Sequence, residues 1–229
     1  KGTGFVGTTY GVWAFDAATC QRKWSYSYTP DGAEGIATSR GIALYDGKIF
    51  KGTPDGHLIA IDMMTGKLLW DTHVADGAQG YSIGAAPVAA EGKVIVGLAG
   101  GDYGNTGHIY AFDAKTGAVV WDFAVIDKKT WPKGSDNGGG GSWTSAAIHP
   151  AKHQVLVPVG NPSPDYYLPA RPGSNLYTNS VVALDIGTGK VAWYVQQLAQ
   201  DYHDWDTSAA PILYDQDGRR GHALNSIVS

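Results

Sequence analysis

The sequence predicts an all-β protein organised as a β-propeller, and three observations carry this prediction. An eleven-residue motif, Ala-x-Asp-x-x-Thr-(Gly or Cys)-x-x-x-Trp, occurs four times in 229 residues. Successive copies lie 46, 51 and 72 residues apart, which suits four-stranded propeller blades, so we expect about four blades. The 32 glycines and the many short apolar runs are typical of a β protein rich in turns. The copies run from Ala14 to Trp24, from Ala60 to Trp70, from Ala111 to Trp121 and from Ala183 to Trp193.

Each copy of the motif predicts a β-hairpin. In the third copy, residues 109–113 are mainly apolar or aromatic and predict a strand, residues 115–117 predict a turn, and the return strand begins after the turn. The motif glycines stand where a tight turn most often needs a positive φ; they are Gly66, Gly117 and Gly189. The motif Asp, three residues before the Thr, is placed to accept hydrogen bonds across the turn.

The motif tryptophans are interpreted as structural. Because Trp24 and its three counterparts recur with the repeat, we expect each indole to pack against the neighbouring blade rather than to serve catalysis. Cys20 replaces the glycine in the first copy and is the only cysteine. We interpret it as a tolerated substitution rather than a reactive thiol. A single cysteine excludes a disulfide framework, a thiolate metal cluster and a Cys-x-x-Cys-His haem site within this sequence.

Charge and hydropathy exclude two further classes of function. The net charge of -4 and the isoelectric point near 5.9 give no basic stripe for nucleic acid. No apolar run approaches the roughly 18 residues that a membrane span needs. A propeller has to close on itself, so about four blades between Lys1 and Ser229 predict a partial propeller domain of a longer chain. The lack of a visible signal peptide therefore does not decide the compartment.

The longest segment between two motif copies holds the first candidate site residues. A glycine run at 138–141 precedes Trp143, which combines a backbone that a ligand can approach closely with an indole face for stacking. Glycine runs are also common in ordinary loops. Asn161 follows the predicted strand 155–159, where its amide oxygen can face a hard cation. A turn-forming Asn fits the same position equally well.

Two acidic residues complete this set. Asp102 follows the predicted strand 94–97, and Asp206 ends a His-Asp-Trp-Asp segment at 203–206, after the predicted strand that starts at Trp193. Carboxylates at strand ends are often solvated turn residues. Where successive blades bring carboxylates and an amide to one axis, however, they can hold a metal ion beside a stacked cofactor. We expect such a convergence here.

Together these segments resemble the quinoprotein alcohol dehydrogenases, the methanol and ethanol dehydrogenase family that uses pyrroloquinoline quinone (PQQ) and calcium. The resemblance rests on the four repeats, the Gly-Trp element, the segment Gly-Asn-Pro-Ser-Pro at 160–164, the stretch 171–180 and the segment 203–206. Members of that family are eight-bladed propellers. The resemblance therefore implies that this chain holds about four of eight blades of a PQQ-binding domain.

The resemblance implies roles for five residues. Trp143 corresponds to the tryptophan that forms the floor under the PQQ rings, and Asn161 to an asparagine ligand of calcium. Asp102 stands where the family usually has a glutamate ligand. Because Asp is one methylene shorter, either its loop lies further inward or calcium is held less tightly. Asp206 corresponds to the catalytic aspartate, and Arg40 to an arginine that contacts the cofactor.

Three departures from the family pattern matter. Methanol-oxidising members carry two adjacent cysteines near the position of Glu34-Gly35, so the lid that they form over the cofactor is absent from this sequence. The basic residue that contacts the quinone oxygen would follow Ser229, and the first cofactor contacts would precede Lys1. The lanthanide-using branch carries a second aspartate where this sequence has Ser208, so the resemblance implies calcium.

The resemblance also implies a mechanism and partners. Calcium would polarise the quinone C5 carbonyl, and Asp206 would take the hydroxyl proton of a primary or secondary alcohol as hydride passes to C5. The products would be an aldehyde or ketone and reduced PQQ. Since the sequence has no haem motif, reoxidation would need cytochrome c, a haem domain elsewhere or a membrane quinone. The family implies a periplasmic location.

Two other interpretations stay open. The first is a non-enzymatic propeller that serves as a protein-binding scaffold in the cell envelope, which would not need the five site residues. The second is a quinoprotein that acts on a sugar, a polyol or a polymeric alcohol. His203, Tyr202 and the Tyr166-Tyr167 pair are candidates for substrate contacts.

Overall fold

The computed structural model describes residues 2–131, 138–216, 219–224 and 227–228, and side chains up to residue 214. The described strands are β1 (Thr3–Thr8), β2 (Gly11–Asp16), β3 (Arg22–Ser27), β4 (Ala43–Tyr45), β5 (Lys48–Gly52), β6 (His57–Asp62), β7 (Leu68–His73), β8 (Val88–Ala90), β9 (Lys93–Gly97), β10 (His108–Asp113), β11 (Val119–Ala124), β12 (Ala147–His149), β13 (Gln154–Val159), β14 (Ser180–Asp185), β15 (Val191–Gln196), β16 (Asp206–Thr207), β17 (Ile212–Gln216), β18 (Arg219–Leu224) and β19 (Ile227–Val228).

The strands form antiparallel sheets in chain order. β1–β3 make a three-stranded sheet, and β4–β7, β8–β11 and β12–β15 each make a four-stranded sheet. In addition, β16 pairs with β19 and β17 with β18. The first strands lie side by side from sheet to sheet, since β4 contacts β8, β8 contacts β12 and β12 contacts β17. Sequential four-stranded sheets arranged in this way are the blades of a β-propeller, so the predicted fold class is confirmed.

The core lies between neighbouring blades. Successive residues of a strand point to opposite faces of the sheet. Ile59 on β6 therefore packs with Val12 of the first sheet, while Ala60 packs with Val94 of the third. Both faces of the central strands are covered, which explains why these strands read as nearly continuous apolar runs.

The motif turns are built as predicted. In the second copy, Asp62 Oδ1 accepts hydrogen bonds from the backbone N–H groups of Met64 and Thr65, at 3.0 and 2.7 Å. Gly66 closes the turn with φ of 72°. Cys20 adopts φ of 58° at the same position of the first copy, so a side chain is present there in a backbone conformation that favours glycine.

The motif tryptophans dock each blade onto the next. The indole of Trp24 lies so close to Gly66 of the following copy that a Cβ there would be 2.6 Å from the ring. The structural interpretation of the tryptophans is therefore confirmed for these contacts. The same arrangement joins Trp70 to Gly117 and Trp121 to Gly189.

The observed strands agree closely with the predicted ones. The strands predicted at 94–97 and 155–159 each begin one residue earlier. The start predicted at Trp193 is wrong by two residues, because β15 begins at Val191, which pairs with Leu184 beyond a register shift.

The blades carry different structures at their two ends. Because neighbouring strands are antiparallel, the connections alternate between the ends of each sheet. One end holds the motif turns and the short turns that join first to second strands; we call it the motif face. The other end, the loop face, holds the connections between blades together with 98–107 and 160–179. The five predicted site residues lie at the loop face, four in its connections and Asp206 as the first residue of β16.

Helical structure is limited, within the described residues, to short 3-10 turns. They are Gly77–Gln79, Gly101–Tyr103, Pro150–Lys152 and Leu168–Ala170. In the described parts of the chain, no helix has both the length and the apolar character that crossing a membrane requires.

Candidate active site

A cavity on the loop face is lined by all five residues that the sequence selects. The structure therefore brings together side chains from connections that are far apart in the sequence, and the roles assigned to them stay predictions. The remaining lining residues are small or partly apolar: Ile36, Thr38, Ala99, Gly100, Gly101 and Gly141.

Asp206 is held in this cavity by two hydrogen bonds. Its Oδ2 accepts from Trp143 Nε1 at 2.8 Å, and its Oδ1 accepts from the backbone N–H of Asn161 at 2.9 Å. A Cβ at Gly160 would lie 2.4 Å from Oδ1, so glycine is needed for this approach. The pKa of Asp206 is raised to about 6, chiefly by burial and to a smaller extent by neighbouring carboxylates, while the two hydrogen bonds oppose the rise. Such a carboxylate is mostly ionised at neutral pH and can accept a proton.

Trp143 presents its ring to the cavity beneath Arg40. The Arg40 guanidinium carbon lies 4.7 Å from the ring centroid, a cation–π distance. Arg40 Nη1 also donates to Thr38 Oγ1 at 3.2 Å. A planar cofactor stacked on this indole would take the place of the guanidinium, so Arg40 has to turn aside to contact such a cofactor from its edge.

Asn161 is buried, with 3% of its surface exposed. Its Nδ2 donates to Asp165 Oδ1 at 2.9 Å. Because an ionised carboxylate only accepts hydrogen bonds, this contact fixes which end of the amide carries the nitrogen. The Asn161 Oδ1 atom receives no hydrogen bond from another described residue, and the side chain borders the cavity.

Three carboxylates meet beside this amide. One oxygen from each of Asp102, Asp165 and Asp204 lies within 4.8 Å of the other two. The pKa of Asp165 is raised to about 6, first by burial and then by the charges of the other two carboxylates, while Arg171 opposes the rise. The pKa of Asp204 is also raised, first by burial and then by Asp102. These directions describe negative charges close together in a partly desolvated place.

The glycine run joins the loops that carry Asp102 and Asn161. The N–H of Gly139 donates to Asn105 O at 2.8 Å, and the N–H of Gly140 donates to Asn161 O at 2.7 Å. Gly139 has φ of 104°, and a Cβ there would lie 2.5 to 2.7 Å from the backbone of residues 161–163. These close approaches are to neighbouring protein backbone, while Gly141 at the end of the run lines the cavity. Close approach of a ligand to the run stays a prediction.

Arg171 connects the two loops on either side of the carboxylates. It is fully buried, and its guanidinium donates to Pro164 O at 2.8 Å and to Asp165 O at 2.7 Å in one loop. It also donates to Asp201 O in the loop that leads to Asp206. The planar fork of an arginine suits several carbonyl acceptors in one plane. Arg171 therefore fixes the spacing between the loop of Asn161 and the loop of Asp206.

Asp201 organises the loop that carries Asp206. Its Oδ1 accepts from the N–H of His203 at 2.8 Å, and its Oδ2 accepts from the N–H of Trp205 at 2.9 Å. His203 is exposed and its ring lies 4.9 Å from that of Trp205. This position agrees with a loop residue at the rim of the site.

Sequence reasoning did not select Asp165 or Arg171. Asp165 stands four residues after Asn161, and this short spacing to a predicted ligand was the available signal. Arg171 lies in a stretch rich in Pro, Gly and Asn, and nothing in the local sequence pattern indicates that its side chain is buried. Only the contacts of the folded chain identify it.

The donor set fits a hard cation. Calcium takes carboxylate and amide oxygens at about 2.3 to 2.6 Å, and both kinds border this cavity. The amide oxygen of Asn161 and the carboxylate of Asp102 are ligands of these kinds. The face of the Trp143 ring that Arg40 covers would offer a flat surface to a planar cofactor once the guanidinium moves aside. The residues present are therefore compatible with a metal ion and a stacked quinone.

Comparison with known proteins agrees with this geometry. Residues 5–229 match the PQQ family described as the glucose/ethanol/alcohol dehydrogenase β-propeller domain. The quinoprotein alcohol dehydrogenase PedH of Pseudomonas putida is 34% identical over an alignment of 227 positions, which covers 88% of this chain and 38% of PedH. This chain therefore spans well under half the length of that relative.

Two solved structures show the same architecture. The quinohemoprotein alcohol dehydrogenase of Comamonas testosteroni superposes with a TM-score of 0.87 at 32% identity, covering 99% of this chain and 38% of that one. A europium-containing methanol dehydrogenase superposes with a TM-score of 0.85 at 29% identity, covering 96% of this chain and 44% of that one. The chain belongs to the PQQ-dependent glucose/ethanol/alcohol dehydrogenase family, within its β-propeller domain.

Proposed function

We propose that the protein oxidises a primary or secondary alcohol to an aldehyde or ketone by hydride transfer to PQQ held with calcium, with Asp206 as the general base. The observation that carries this proposal is the contact of Asp206 with both Trp143 and Asn161 in one cavity. The proposed base thus accepts hydrogen bonds from the indole of the proposed stacking residue and from the backbone N–H of the proposed metal ligand. When bound, PQQ would supply the electron acceptor and calcium the Lewis acid.

Asp206 is suited to take the hydroxyl proton of the alcohol. Each carboxylate oxygen has two acceptor sites, so the hydrogen bonds from Trp143 and Asn161 leave a site free on each. The same hydrogen bonds restrict the rotation of the carboxylate. A positioned base with a pKa near the working pH typically contributes roughly 10²–10⁴-fold to the rate.

The other residues would bind and orient the reactants. Trp143 would support the planar cofactor from below, and Arg40 would contact its edge after leaving the indole face. Asn161 would offer its Oδ1 to the metal while Asp165 holds its Nδ2. Asp102 would add a carboxylate oxygen from the neighbouring blade.

The partners and the compartment follow from the family and are part of the proposal. Two electrons leave the alcohol in each turnover, so the reduced cofactor needs an acceptor, for which we propose cytochrome c or a membrane quinone. We propose a periplasmic location. A purely structural propeller, the alternative function, would bind no PQQ.

The test is a titration of PQQ into the metal-free protein at its full natural length. We expect tight binding, followed by cofactor absorbance, only when calcium is present. Equal affinity with and without calcium would remove the metal from the proposal. No PQQ binding under either condition would favour the scaffold function instead.

A further inference from the structure

Asp206 projects from β16, a strand of only two residues. This strand pairs with β19, which also has two residues, and so short a pairing is a weak anchor. The hydrogen bonds from Trp143 and from the Asn161 backbone act on the carboxylate and not on the backbone that carries it. A general base has to be held to within a fraction of an ångström. The contacts of its two chain neighbours therefore decide how firmly Asp206 is placed.

The residue before Asp206 is held by a buried asparagine that has no role in the proposed mechanism. Asn179 is fully buried, and its Nδ2 donates to the backbone O of Trp205 and, at 3.1 Å, to Asp201 Oδ2. A carbonyl only accepts hydrogen bonds, so the nitrogen end of the amide is fixed. The Trp205 carbonyl belongs to the peptide bond that leads into Asp206. Asn179 therefore restrains the backbone directly before the proposed base.

The residue after Asp206 is held through the backbone partner of Asn179. The O atom of Asn179 accepts from the N–H of Gln197 at 2.8 Å. The side chain of Gln197 in turn accepts, at Oε1, from Thr207 Oγ1 at 3.0 Å, and Thr207 is buried. Asn179 directly precedes β14 and Gln197 directly follows β15, so the two extend a hairpin of a complete four-stranded blade. Both neighbours of Asp206 are thus tied to one rigid element.

Asn179 also contacts the segment against which the Asp206 carboxylate lies. Its backbone N–H donates to Gly160 O at 2.9 Å. Gly160 is the residue whose lack of a Cβ allows the close approach of Asp206 Oδ1. One residue therefore fixes the chain before the base and the surface beneath its carboxylate.

The conformation of Asn179 is not the one that best satisfies its own groups. Its Oδ1 is buried and has no hydrogen-bond donor among the described residues. Its φ is 52°, in the left-handed region, which Asn tolerates better than most residues. A buried acceptor without a donor is unfavourable. Residues held in such a way are typical of functional sites.

We propose that Asn179 is a positioning residue for the base, which together with Gln197 holds both chain neighbours of Asp206 against the β14–β15 hairpin and so keeps the carboxylate at the cavity. The inference deepens the proposed function and rests on Asp206 as its base. Asn179 does not line the cavity, so it acts through Asp206 rather than on the alcohol or the cofactor.

The first experiment needs no cofactor. Because Trp143 Nε1 donates to Asp206 Oδ2, the NMR signal of this indole N–H reports whether the carboxylate is in place. The sample is the protein at its full natural length, free of PQQ and metal, with ¹⁵N-labelled tryptophan, and Trp143→Phe assigns the signal. Asn179→Asp keeps the shape but puts a carboxylate against Trp205 O and Asp201. It should move the signal toward that of a free indole and speed its exchange with water by roughly tenfold.

Two matched comparisons separate positioning from general stability. Ser180→Ala changes the next residue, which is equally buried but donates through Oγ to Thr178 O at 3.0 Å. It should lower stability and leave the Trp143 signal in place. Gln197→Glu keeps an acceptor for Thr207 and Gln197→Met removes it, so only the Met variant should displace the signal. This pair tests the inference even where Asn179→Asp does not fold.

The second experiment measures turnover with PQQ and calcium bound. Asn179→Asp should lower kcat by roughly 10–100-fold and change the KM for the alcohol by less than about threefold, as expected for a misplaced base. Ser180→Ala should change both by less than about twofold. An unmoved Trp143 signal in both Asn179→Asp and Gln197→Met, or equal displacement by Ser180→Ala, would overturn the inference. The NMR readout omits PQQ, so it can fail while alcohol oxidation stands, and succeed if that proposal falls.

Discussion

The motif face and the loop face of this propeller are built in opposite ways. On the motif face, each turn repeats the same contacts: Asp62 and Asp113 both accept from backbone N–H groups two and three residues later, at 2.7 to 3.0 Å. On the loop face, the connections 98–107 and 160–179 differ in length and sequence. The repeated turns form the scaffold, and the connections that depart from the repeat carry candidate site residues.

The two faces also differ in electrostatics. Hydrogen bonds within the turns hold the pKa of Asp62 and Asp113 below the usual value. The ionised form of each carboxylate is therefore stabilised by its own turn. Burial raises the pKa of Asp165 and Asp206 to about 6 on the loop face. Perturbed carboxylates gathered in a cavity are typical of functional sites. The difference suggests variants that affect only one face.

The largest effect is expected for Asp206→Asn on the loop face. The amide keeps the size of the side chain but cannot take up a proton as the carboxylate does, so turnover should fall by roughly 10²–10⁴-fold. The new amide NH₂ group would also point at a hydrogen-bond donor, either the Trp143 indole N–H or the Asn161 backbone N–H, and would find no acceptor there. The measurement is the kcat of alcohol oxidation, with cofactor occupancy read from absorbance.

The control for this variant is Asp46→Asn, which removes a charge from the motif face. It should keep the turnover of the unmodified protein. Near-normal turnover of Asp206→Asn with the cofactor fully bound would show that another group is the base. Asp204 would then be the next candidate.

The second prediction concerns the connection between the two site loops. Arg171→Gln should lower the free energy of unfolding by about 3 kcal/mol, because hydrogen bonds to a buried guanidinium are lost and carbonyl acceptors are left unpaired. Arg171→Lys should recover little of this lost stability, since one ammonium group cannot replace the planar guanidinium with its several donors. Chemical denaturation measures both. Arg22→Gln is the control at an exposed position and should change stability by less than about 0.5 kcal/mol.

Recovery of full stability by Arg171→Lys would contradict this interpretation. Charge alone, rather than the geometry of the fork, would then hold the loops.

The third prediction exchanges two residues between equivalent turns of the motif face. Gly117→Cys places a Cβ 2.8 Å from the Trp70 ring at φ of 75° and should cost about 2 kcal/mol of stability. The reverse change, Cys20→Gly, removes a side chain from φ of 58° and should alter stability by less than about 1 kcal/mol. Denaturation in reducing buffer compares them. Equal stability of Gly117→Cys and the unmodified protein would show that the docking contact adapts.

What the sequence can predict also follows the two faces. The repeat predicts the hairpins, the positive φ at Gly66 and the docking role of Trp24, because each depends on a few neighbouring residues and recurs. Asp102 and Asn161 could be selected because they follow predicted strands and fit a family pattern.

The remaining site features depend on contacts between distant segments. Arg171 acts through carbonyl groups, which every residue has, so no sequence pattern marks its partners. Asp165 gains its significance from the positions of Asp102 and Asp204, which lie on other loops. Ser208 affects the charge near the predicted metal site at one position only. In the folded chain, the relevant carboxylates come from three connections.

The smallest effect is expected for Asp102→Glu. The sequence left two possibilities for the shorter side chain, an inward loop or a weaker hold on calcium. The loop already brings an Asp102 oxygen within 4.8 Å of Asp165 and Asp204, so an added methylene is not needed to reach the site. Calcium affinity of the metal-free full-length protein should change by less than about threefold, on the order of 0.6 kcal/mol. Asp46→Glu is the matched control. Tenfold tighter binding by Asp102→Glu would mean that the loop does not compensate for the shorter side chain, and that the metal site keeps the length requirement of the family's glutamate.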